Sequence, residues 1–487
     1  MEHTLGYLRV SSTLITQIEQ SRLEAQKHIS EEKRKLEEQY FTPPRVAAIM
    51  ASMFSEEKNR QLDILDPCSG VGNLAAAIYE RIRAENTSHT FTLIEKDSFL
   101  FERSKENFSK NPTAKVIHAD FFECLGTLEK YDRIILNPPY SKISPNSKAA
   151  KLCYSLLNYS DTNIYSAFVS LCLNLLSENG ELVAIIPRSF CNGPLFKKFR
   201  THIVENYSIK EFYSFDSRKV FSDSKVIQEV VIVRIGRGHT DSIRISHEKQ
   251  NGEMTCLDIP AERVIFPNDP NKVIHIPLAK GDDELLSKIS RFKNTLSSVG
   301  MKASTGKVVD FRCTEFLQNK SSASSVNLIY QDSVQPGALS IIDIADNKRP
   351  RHIKSSSETK KILLEKGNYV LVRRISFKES KTRIISAPLL EIQFKKGMLG
   401  IENHLNYIWS TKKNMSKEVC IALYSFLSTE TVDRFVRRFS GHTQINATDL
   451  NSLPIPDIKQ LESFYDSISN MSFESLATAA EDFFFST

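Results

Sequence analysis

The heptapeptide Ile134-Ile135-Leu136-Asn137-Pro138-Pro139-Tyr140 sets an amide, two prolines and a phenol at the end of an apolar run. The run has the character of a strand buried on both faces. Proline cannot donate to a strand ladder and has a fixed φ, so the strand stops there. Asn137 and Tyr140 are then held in a stiff turn at its carboxyl end, where ligands bind in open α/β sheets. One chemistry that suits such a corner is methylation of the exocyclic amine of adenine. That nitrogen is a poor nucleophile because its lone pair is delocalised into the ring. The Asn137 side-chain oxygen and the Pro138 carbonyl would grip its two N–H bonds and draw it toward tetrahedral geometry. Tyr140 would stack on the base, worth ~1–3 kcal/mol. The nitrogen would attack a methyl sulfonium in line, with no metal and no unusual general base. Positioning of this kind lowers a barrier by roughly 7–11 kcal/mol. An ordinary Pro-Pro turn after a strand would carry the same four residues.

The elements needed to position that turn are written around it. Strands are predicted at residues 62–65, 91–95, 115–119, 131–136 and 181–186, and helices at 45–54, 74–83, 98–108, 163–176 and 194–206. Residues 211–215 and 226–235 read as a closing pair of strands. This rhythm predicts a doubly wound α/β sheet, whose right-handed crossovers bring the strand-end turns to one rim. Thr42 is a good N-cap for the first of these helices, with Pro43 or Pro44 at its first position. Residues 142–162 interrupt the rhythm directly after Tyr140, and long loops at such places serve as lids or substrate contacts.

Three further strand ends on that rim are polar. Asp66-Pro67-Cys68-Ser69-Gly70-Val71-Gly72-Asn73 opens a helix, and its glycines allow backbone to approach a ligand closely. It lacks the Gly-Lys-Ser/Thr ending of a phosphate loop and the third glycine of the dinucleotide fingerprint. Glu95 stands where an acceptor for ribose hydroxyls belongs. Asp120, followed by Phe121 and Phe122, would accept from an adenine amine beside apolar rings. Asp66 would receive a cationic amino group. An adenosyl group, a ribose and an ammonium together describe S-adenosylmethionine. Each carboxylate alone is equally a loop residue satisfied by its own backbone; four consecutive polar strand ends carry the inference.

The 487 residues suffice for two or three domains. With 41% hydrophobic and 25% charged residues the composition is globular, and 64 basic against 58 acidic side chains permit a polyanionic partner without demanding one. No apolar run reaches the ~18 residues of a membrane span. The start, Met1-Glu2-His3-Thr4, has no signal-peptide character, so a cytoplasmic protein is expected. Eight cysteines without a Cys-x-x-Cys pair argue against a zinc ribbon, and no metal site is expected. Residues 1–38 read as a charged helical N-terminal arm with Leu14, Ile18 and Leu36 as sparse apolar points, mainly a solvated face. Residues 39–240 form the alternating domain and 241–298 a connecting region. Residues 299–487 form a separate mixed α+β domain of irregular segments, punctuated by basic residues, with one helix over 417–439.

In combination these motifs resemble the gamma class of N6-adenine DNA methyltransferases, whose order is cofactor motif, catalytic motif, then target-recognition domain. Gln39-Tyr40-Phe41-Thr42-Pro43 resembles the family's first cofactor segment, Asp66 to Gly72 its glycine motif and Asn137-Pro138-Pro139-Tyr140 its catalytic tetrapeptide. Val226-Ile227-Gln228-Glu229 resembles its late hairpin. Within the class the chain resembles modification methylases of the BsuBI and PstI kind. The segments 304–312, 402–408 and 441–446, then Leu453-Pro454-Ile455-Pro456, look like blocks of their recognition half. The resemblance implies a Rossmann-like methyltransferase sheet followed by a target-recognition domain. It implies methyl transfer from S-adenosylmethionine to a flipped adenine in double-stranded DNA, beside a separate cognate restriction endonuclease. Tyr40, Thr42, Asp66, Ser69, Gly70, Gly72, Asn73, Glu95, Lys96, Asp120, Phe121 and Asn137 would line the cofactor site. Asn137, Pro138, Pro139 and Tyr140 would hold the base. Lys307, Arg312, Arg373, Arg374, His442 and Gln444 are the candidates for DNA contact, and a monomer or homodimer is expected.

Other readings of the same residues are methylation of an RNA adenine or a protein glutamine, a non-catalytic specificity subunit, and a fused nuclease–methylase. The large C-terminal half favours a long polymeric substrate. The intact tetrapeptide disfavours the second reading, and the lack of a nuclease carboxylate–lysine cluster disfavours the third.

Overall fold

The structure, a computed structural model, describes residues 13–29, 40–57, 60–85, 87–161, 163–216, 229–279, 281–342, 349–376, 382–439, 444–468 and 471–486. The chain divides into two compact units, residues 1–264 with 278–280, and residues 265–277 with 281–487.

The first unit is built on strands β1 (Leu62–Asp66), β2 (His89–Glu95), β3 (Ala114–His118), β4 (Tyr131–Leu136), β5 (Leu176–Pro187), β6 (Ser208–Phe215), β7 (Val230–Gly236), β8 (Ser242–Glu248) and β9 (Met254–Pro260). They form one sheet in the order β3-β2-β1-β4-β5-β7-β6-β8-β9. The first five strands are mutually parallel, while β7 is antiparallel to both β5 and β6. The doubly wound α/β fold expected from the sequence is therefore the one observed. Strand order reverses between β1 and β4, whose register pairs Leu65 with Ile134. This is the topological switch point, where two chain directions part and leave a crevice. All six residues of β4 are buried, as a central parallel strand requires.

Helices α1 (Thr13–His28), α2 (Pro44–Ser52), α3 (Asn73–Glu85) and α4 (Ser98–Asn107) form one contacting group, and α5 (Phe121–Cys124) follows β3. Helices α6 (Lys148–Leu157), α7 (Ile164–Asn174) and α8 (Lys197–Asn206) form another.

Several sequence expectations need correction. Helix α1 is not a solvated arm: Ile18, Ser21, Arg22 and Ala25 are buried, and the Ser21 hydroxyl donates to Asn107 Oδ1 at 3.0 Å. Residues 142–162 are not a plain loop, because α6 lies within them, capped by Ser147 Oγ accepting from Ala150 N–H and ended by left-handed Asn158. Residues 241–298 are not a connector. Strands β8 and β9 extend the first sheet, and Asp282–Ser290 is a helix of the second unit. Residues 226–228 of the late hairpin lie outside the described residues.

The second unit holds a four-stranded antiparallel sheet of Met301–Thr305, Leu405–Ser410, Tyr369–Arg373 and Ser386–Leu389. A five-stranded mixed sheet includes Ser325–Ile329, His352–Lys354 and Met398–Ile401. Its largest core gathers Phe426, Phe464, Phe484 and Phe485 from packed helices with Phe292, which follows the helix Asp282–Ser290. The expected single helix over 417–439 is two, Lys417–Leu427 and Glu430–Phe439. At the break Thr429 Oγ1 donates to the Phe426 carbonyl at 2.7 Å and accepts from Val432 N–H at 3.4 Å.

Candidate active site at the switch point

β1 and β4 are neighbours, so their carboxyl ends bring Asp66 and Asn137 to the same rim of the sheet, where Cys68, two residues after Asp66, meets the Asn137 carbonyl with its thiol at 3.5 Å. The Asn137 amide is fixed by its nitrogen. Nδ2 donates to the Tyr40 carbonyl at 2.8 Å and to Thr42 Oγ1 at 3.0 Å. The Tyr40 carbonyl can only accept, which settles the orientation of the amide, and the Thr42 hydroxyl accepts beside it. Oδ1 is thereby turned to the other side, where the Tyr140 hydroxyl lies 3.0 Å away. That hydroxyl is also 3.2 Å from the Ile185 carbonyl. Its single proton serves one acceptor at a time, so Oδ1 keeps at least one lone pair for a ligand.

Thr42 therefore does a different job from the one its position suggested. The N-cap of α2 is Pro43, with Pro44 at the first helical position and no side-chain cap. The Thr42 hydroxyl goes to Asn137 instead. Tyr140 is also more constrained than a free stacking ring. It is 6% exposed, tilted against Tyr40 at 6.2 Å and edge-on to Tyr165 at 6.1 Å. Tyr165 in turn packs on Phe196 at 5.4 Å. Tyr165, Phe196 and the Ile185 carbonyl brace the tetrapeptide, and sequence reasoning passed over all three. They lie 25 to 56 residues downstream of Tyr140 on β5 and helical segments, with no local pattern linking them to it.

The glycine turn after β1 is held from behind. Gly70 and Gly72 have φ of +56° and +96°. A Cβ on Gly72 would overlap the Phe108 ring, and Asn107 Nδ2 donates to the Val71 carbonyl at 3.0 Å. In front of the turn, Glu95 Oε2 accepts from Gly70 N–H and Oε1 from Asp97 N–H, both at 2.8 Å. Burial holds the Glu95 carboxyl above the usual carboxylate range.

Asp66 is 1% exposed, and burial pushes its carboxyl up to about 8. Oδ1 receives only a long bond from Cys68 N–H at 3.3 Å, and Oδ2 has no hydrogen-bond partner. The hydroxyl of Ser69 is likewise buried and unpartnered. Orphaned polar atoms at these depths cost ~1–3 kcal/mol each. A ligand bearing a cation and hydrogen-bonding groups would satisfy them, so the residues present fit the cofactor expected from the sequence.

The remaining nominated residues are placed as follows. Asn73 is the first residue of α3 and half-buried. Lys96 is exposed, and its carbonyl meets the His118 ring at 3.2 Å. Asp120 caps α5 by accepting from Phe122 N–H at 2.9 Å. Phe121 stacks on Phe168 at 4.8 Å. In the second unit Lys307 and Arg312 are exposed. Arg373 and Arg374 are engaged with the protein itself. Arg373 Nε donates to the Val334 carbonyl at 2.7 Å. Arg374 donates to the Asn403 carbonyl at 2.8 Å and to Gln444 Oε1 at 3.1 Å. His442 lies outside the described residues. No described helix is long and apolar enough to cross a membrane.

The model of the Eco57I restriction-modification methylase family matches residues 17–221. The chain is 35% identical over 440 residues to the type II methyltransferase M.BsuBI of Bacillus subtilis, covering 86% of this chain and 87% of that one. It is 32% identical over 460 residues to the type II methyltransferase M.PstI of Providencia stuartii, covering 90% of each. A shorter stretch of 132 residues, 26% of this chain and 52% of the relative, is 33% identical to a tRNA1(Val) (adenine(37)-N6)-methyltransferase of Christiangramia forsetii.

Proposed function

The chain belongs to the type II methyltransferases related to M.BsuBI and M.PstI, and from that premise we propose that it methylates N6 of an adenine flipped out of duplex DNA. S-adenosylmethionine, when bound, supplies an electrophilic methyl group. Everything else in the reaction is positioning by this chain. Asn137 Oδ1 accepts one N–H of the amine and the Pro138 carbonyl the other, which localises the nitrogen lone pair away from the ring. Tyr140 supports the base. Asp66 would receive the cofactor's ammonium and Glu95 its ribose hydroxyls, and the Gly70–Gly72 turn would allow its close approach to the backbone. Extruding the base costs a few kcal/mol, which phosphate and base contacts of the second unit would offset. The biological setting we infer is protection of a short DNA site from a separate endonuclease.

The observation that carries this reading is the locked Asn137 amide: its nitrogen is held by Tyr40 and Thr42, so only its oxygen can meet a substrate. The tRNA-modifying relative favours a second reading, an RNA adenine. Against it stands the large second unit, which suits sequence readout along a duplex. Incubation with methyl-labelled cofactor and either genomic DNA or total RNA separates the two. We expect label in DNA as N6-methyladenine within one short sequence context. Label in RNA, or on cytosine, would overturn the proposal.

A further inference from the structure

Two of the segments singled out in the C-terminal half of the sequence, 304–312 and 402–408, converge in space. Val308 and Glu402 form a parallel bridge, and Asn403 N–H donates to the Val308 carbonyl at 2.9 Å. Gly306 permits the approach, because a Cβ there would overlap the Glu402 carbonyl. Beside this junction lies a cleft of about 120 Å³ lined by Asp310, Tyr330, Gln331, Arg349, Glu402 and His404. One water needs ~10–15 Å³ of such space, so the cleft takes more than a water.

Its polar groups are organised. Glu402, 1% exposed, accepts from the His404 ring Nδ1 at 2.6 Å and from the His404 backbone N–H at 2.9 Å. Both carboxylate oxygens therefore serve one residue, and the imidazole of His404, half-exposed, keeps Nε2 for a ligand. Tyr330 is 2% exposed, yet its hydroxyl has no hydrogen-bond partner. Burial pushes that hydroxyl up to about 12, so it remains a donor at neutral pH. A buried hydroxyl lining a cleft without a partner is costly unless something enters to meet it. Asp310 adds an acceptor on the opposite segment. Next to it Phe311 is 70% exposed with the Arg312 guanidinium 5.4 Å from its ring centroid. Lys307, also exposed, stands at the same junction. Among the described residues no three His, Cys, Asp or Glu side chains are grouped to hold a metal ion.

An acceptor and a donor in one concave site that also includes the Arg349 side chain, with the exposed Phe311 and Arg312 following Asp310 in the chain, match a base edge flanked by phosphates. We propose that this cleft reads one base pair of the target through an exocyclic amino group, adenine N6 or cytosine N4, accepted by Asp310. Tyr330 donates to the neighbouring acceptor, adenine N7 or the O6 of the paired guanine. His404, set by Glu402, completes the contact, and Glu402 is a positioning residue that does not touch DNA. The inference rests on the DNA-methylating reading above and assigns its specificity.

The test uses the full chain. The sites methylated by the unaltered protein are mapped first. Methylation rates are then measured on that site and on duplexes substituted at each position in turn. Tyr330→Phe and Asp310→Asn change few atoms and should leave cofactor affinity unaltered. Each is expected to lower kcat/KM on the mapped site by roughly tenfold to hundredfold, the scale of one good base contact, and to abolish discrimination at one base pair only. Glu402→Gln should relax the same position more weakly. Discrimination retained at every position, or a loss spread evenly over all of them, would overturn the assignment while leaving the methyltransferase reading intact. An unaltered chain that methylates no DNA would remove both.

Discussion

At the end of β4 the Asn137 amide is gripped by a backbone carbonyl and a hydroxyl from one short segment, Tyr40–Thr42. In the second unit the His404 imidazole is gripped by another side chain, Glu402. Behind Asn137 stands a fully buried strand in register with two neighbours. Behind Glu402 stands a strand of four residues, Met398–Ile401, closing against Gly306. The first arrangement transmits little: its backbone is set by a parallel sheet whether or not the amide is present. The second depends on contacts between side chains and on one close backbone approach. Side-chain changes at the corner should therefore act on the reaction with the fold intact. Changes near the cleft should act on which DNA is chosen, and some should cost stability.

The largest effect expected is at the corner. Asn137→Ala should lower single-turnover methyl transfer by about 100-fold or more, the scale for removing one preorganised polar partner from a transition state. Cofactor affinity, measured by titration, should change by no more than about threefold. A variant that loses cofactor and transfer together would mean that Asn137 supports the donor site rather than the amine.

Next comes a matched pair of glycines. Gly72→Ala meets the Phe108 ring at a positive φ, and Gly306→Ala meets the Glu402 carbonyl. Each should cost about 1–3 kcal/mol by overpacking, seen as a lower midpoint in thermal or urea unfolding. The two should part in function. Gly72→Ala should weaken cofactor binding, whereas Gly306→Ala should spare it and relax site choice. If both variants lost cofactor binding, the two regions would not be the independent devices described above.

The same contrast governs what could be read from the sequence. Among strands β1 to β4, the inner β1, β2 and β4 are legible because a central parallel strand is largely apolar on both faces and ends in a turn, whereas the half-exposed edge strand β3 follows only from the strand–helix rhythm; the proposed chemistry sits at those ends. The nominated Asp66, Glu95 and Asn137 follow from that rule. The partners of Asn137 did not, since Thr42 carries equal signals for capping α2 and for bonding elsewhere, and Pro43 already serves as the cap. Helix α1 was misjudged because polar residues help seal it. Ser21 and Gln17 both reach Asn107, and Arg22 is buried with Glu19 at 2.7 Å. Apolar periodicity does not register such burial. In residues 142–162 the Ser147 cap was a usable local sign of α6 that polar composition obscured. The cleft was illegible as a site. Asp310, Tyr330 and Glu402 are joined through strands of five residues or fewer, too short for alternation to show.

A smaller effect should appear as a pH dependence of the corner. Burial raises the Asp66 carboxyl from its ordinary 3.8 to about 8. In the ligand-free protein it is protonated below about pH 8, whereas an ammonium requires it ionised. Binding should release a proton at neutral pH, and affinity for S-adenosylmethionine should rise with pH, by up to tenfold per unit, before levelling above about 8. Stability runs the opposite way. The folded state holds a proton that the unfolded chain has lost, so this group's contribution is full below pH 3.8 and fades as pH rises toward 8. Calorimetry in buffers of different ionisation enthalpy reads the proton directly. Proton uptake on binding would mean that the ligand does not neutralise Asp66. In Asp66→Asn the proton release and the tenfold-per-unit rise toward pH 8 should be lost.

The mildest change tests the link between the two segments that make the corner. Thr42→Val keeps the shape of the side chain and removes the oxygen that accepts from Asn137 Nδ2. The amide then relies on the Tyr40 carbonyl alone. Losing one such bond costs about 0.5–1.5 kcal/mol, so the rate of methyl transfer should fall roughly threefold to tenfold. The split between constants decides what Thr42 does. If it only orients Asn137, kcat falls while KM for the cofactor stays put, and Thr42→Ser, which restores the acceptor, recovers most of the rate. If Thr42 instead touches the cofactor, as its place in the segment 39–43 suggested, KM for the cofactor rises with kcat nearly unchanged. The amide geometry favours the first outcome: the Thr42 side chain is buried, its oxygen lies 3.0 Å from the Asn137 nitrogen, and the amide it helps to fix presents the oxygen proposed to grip the amine.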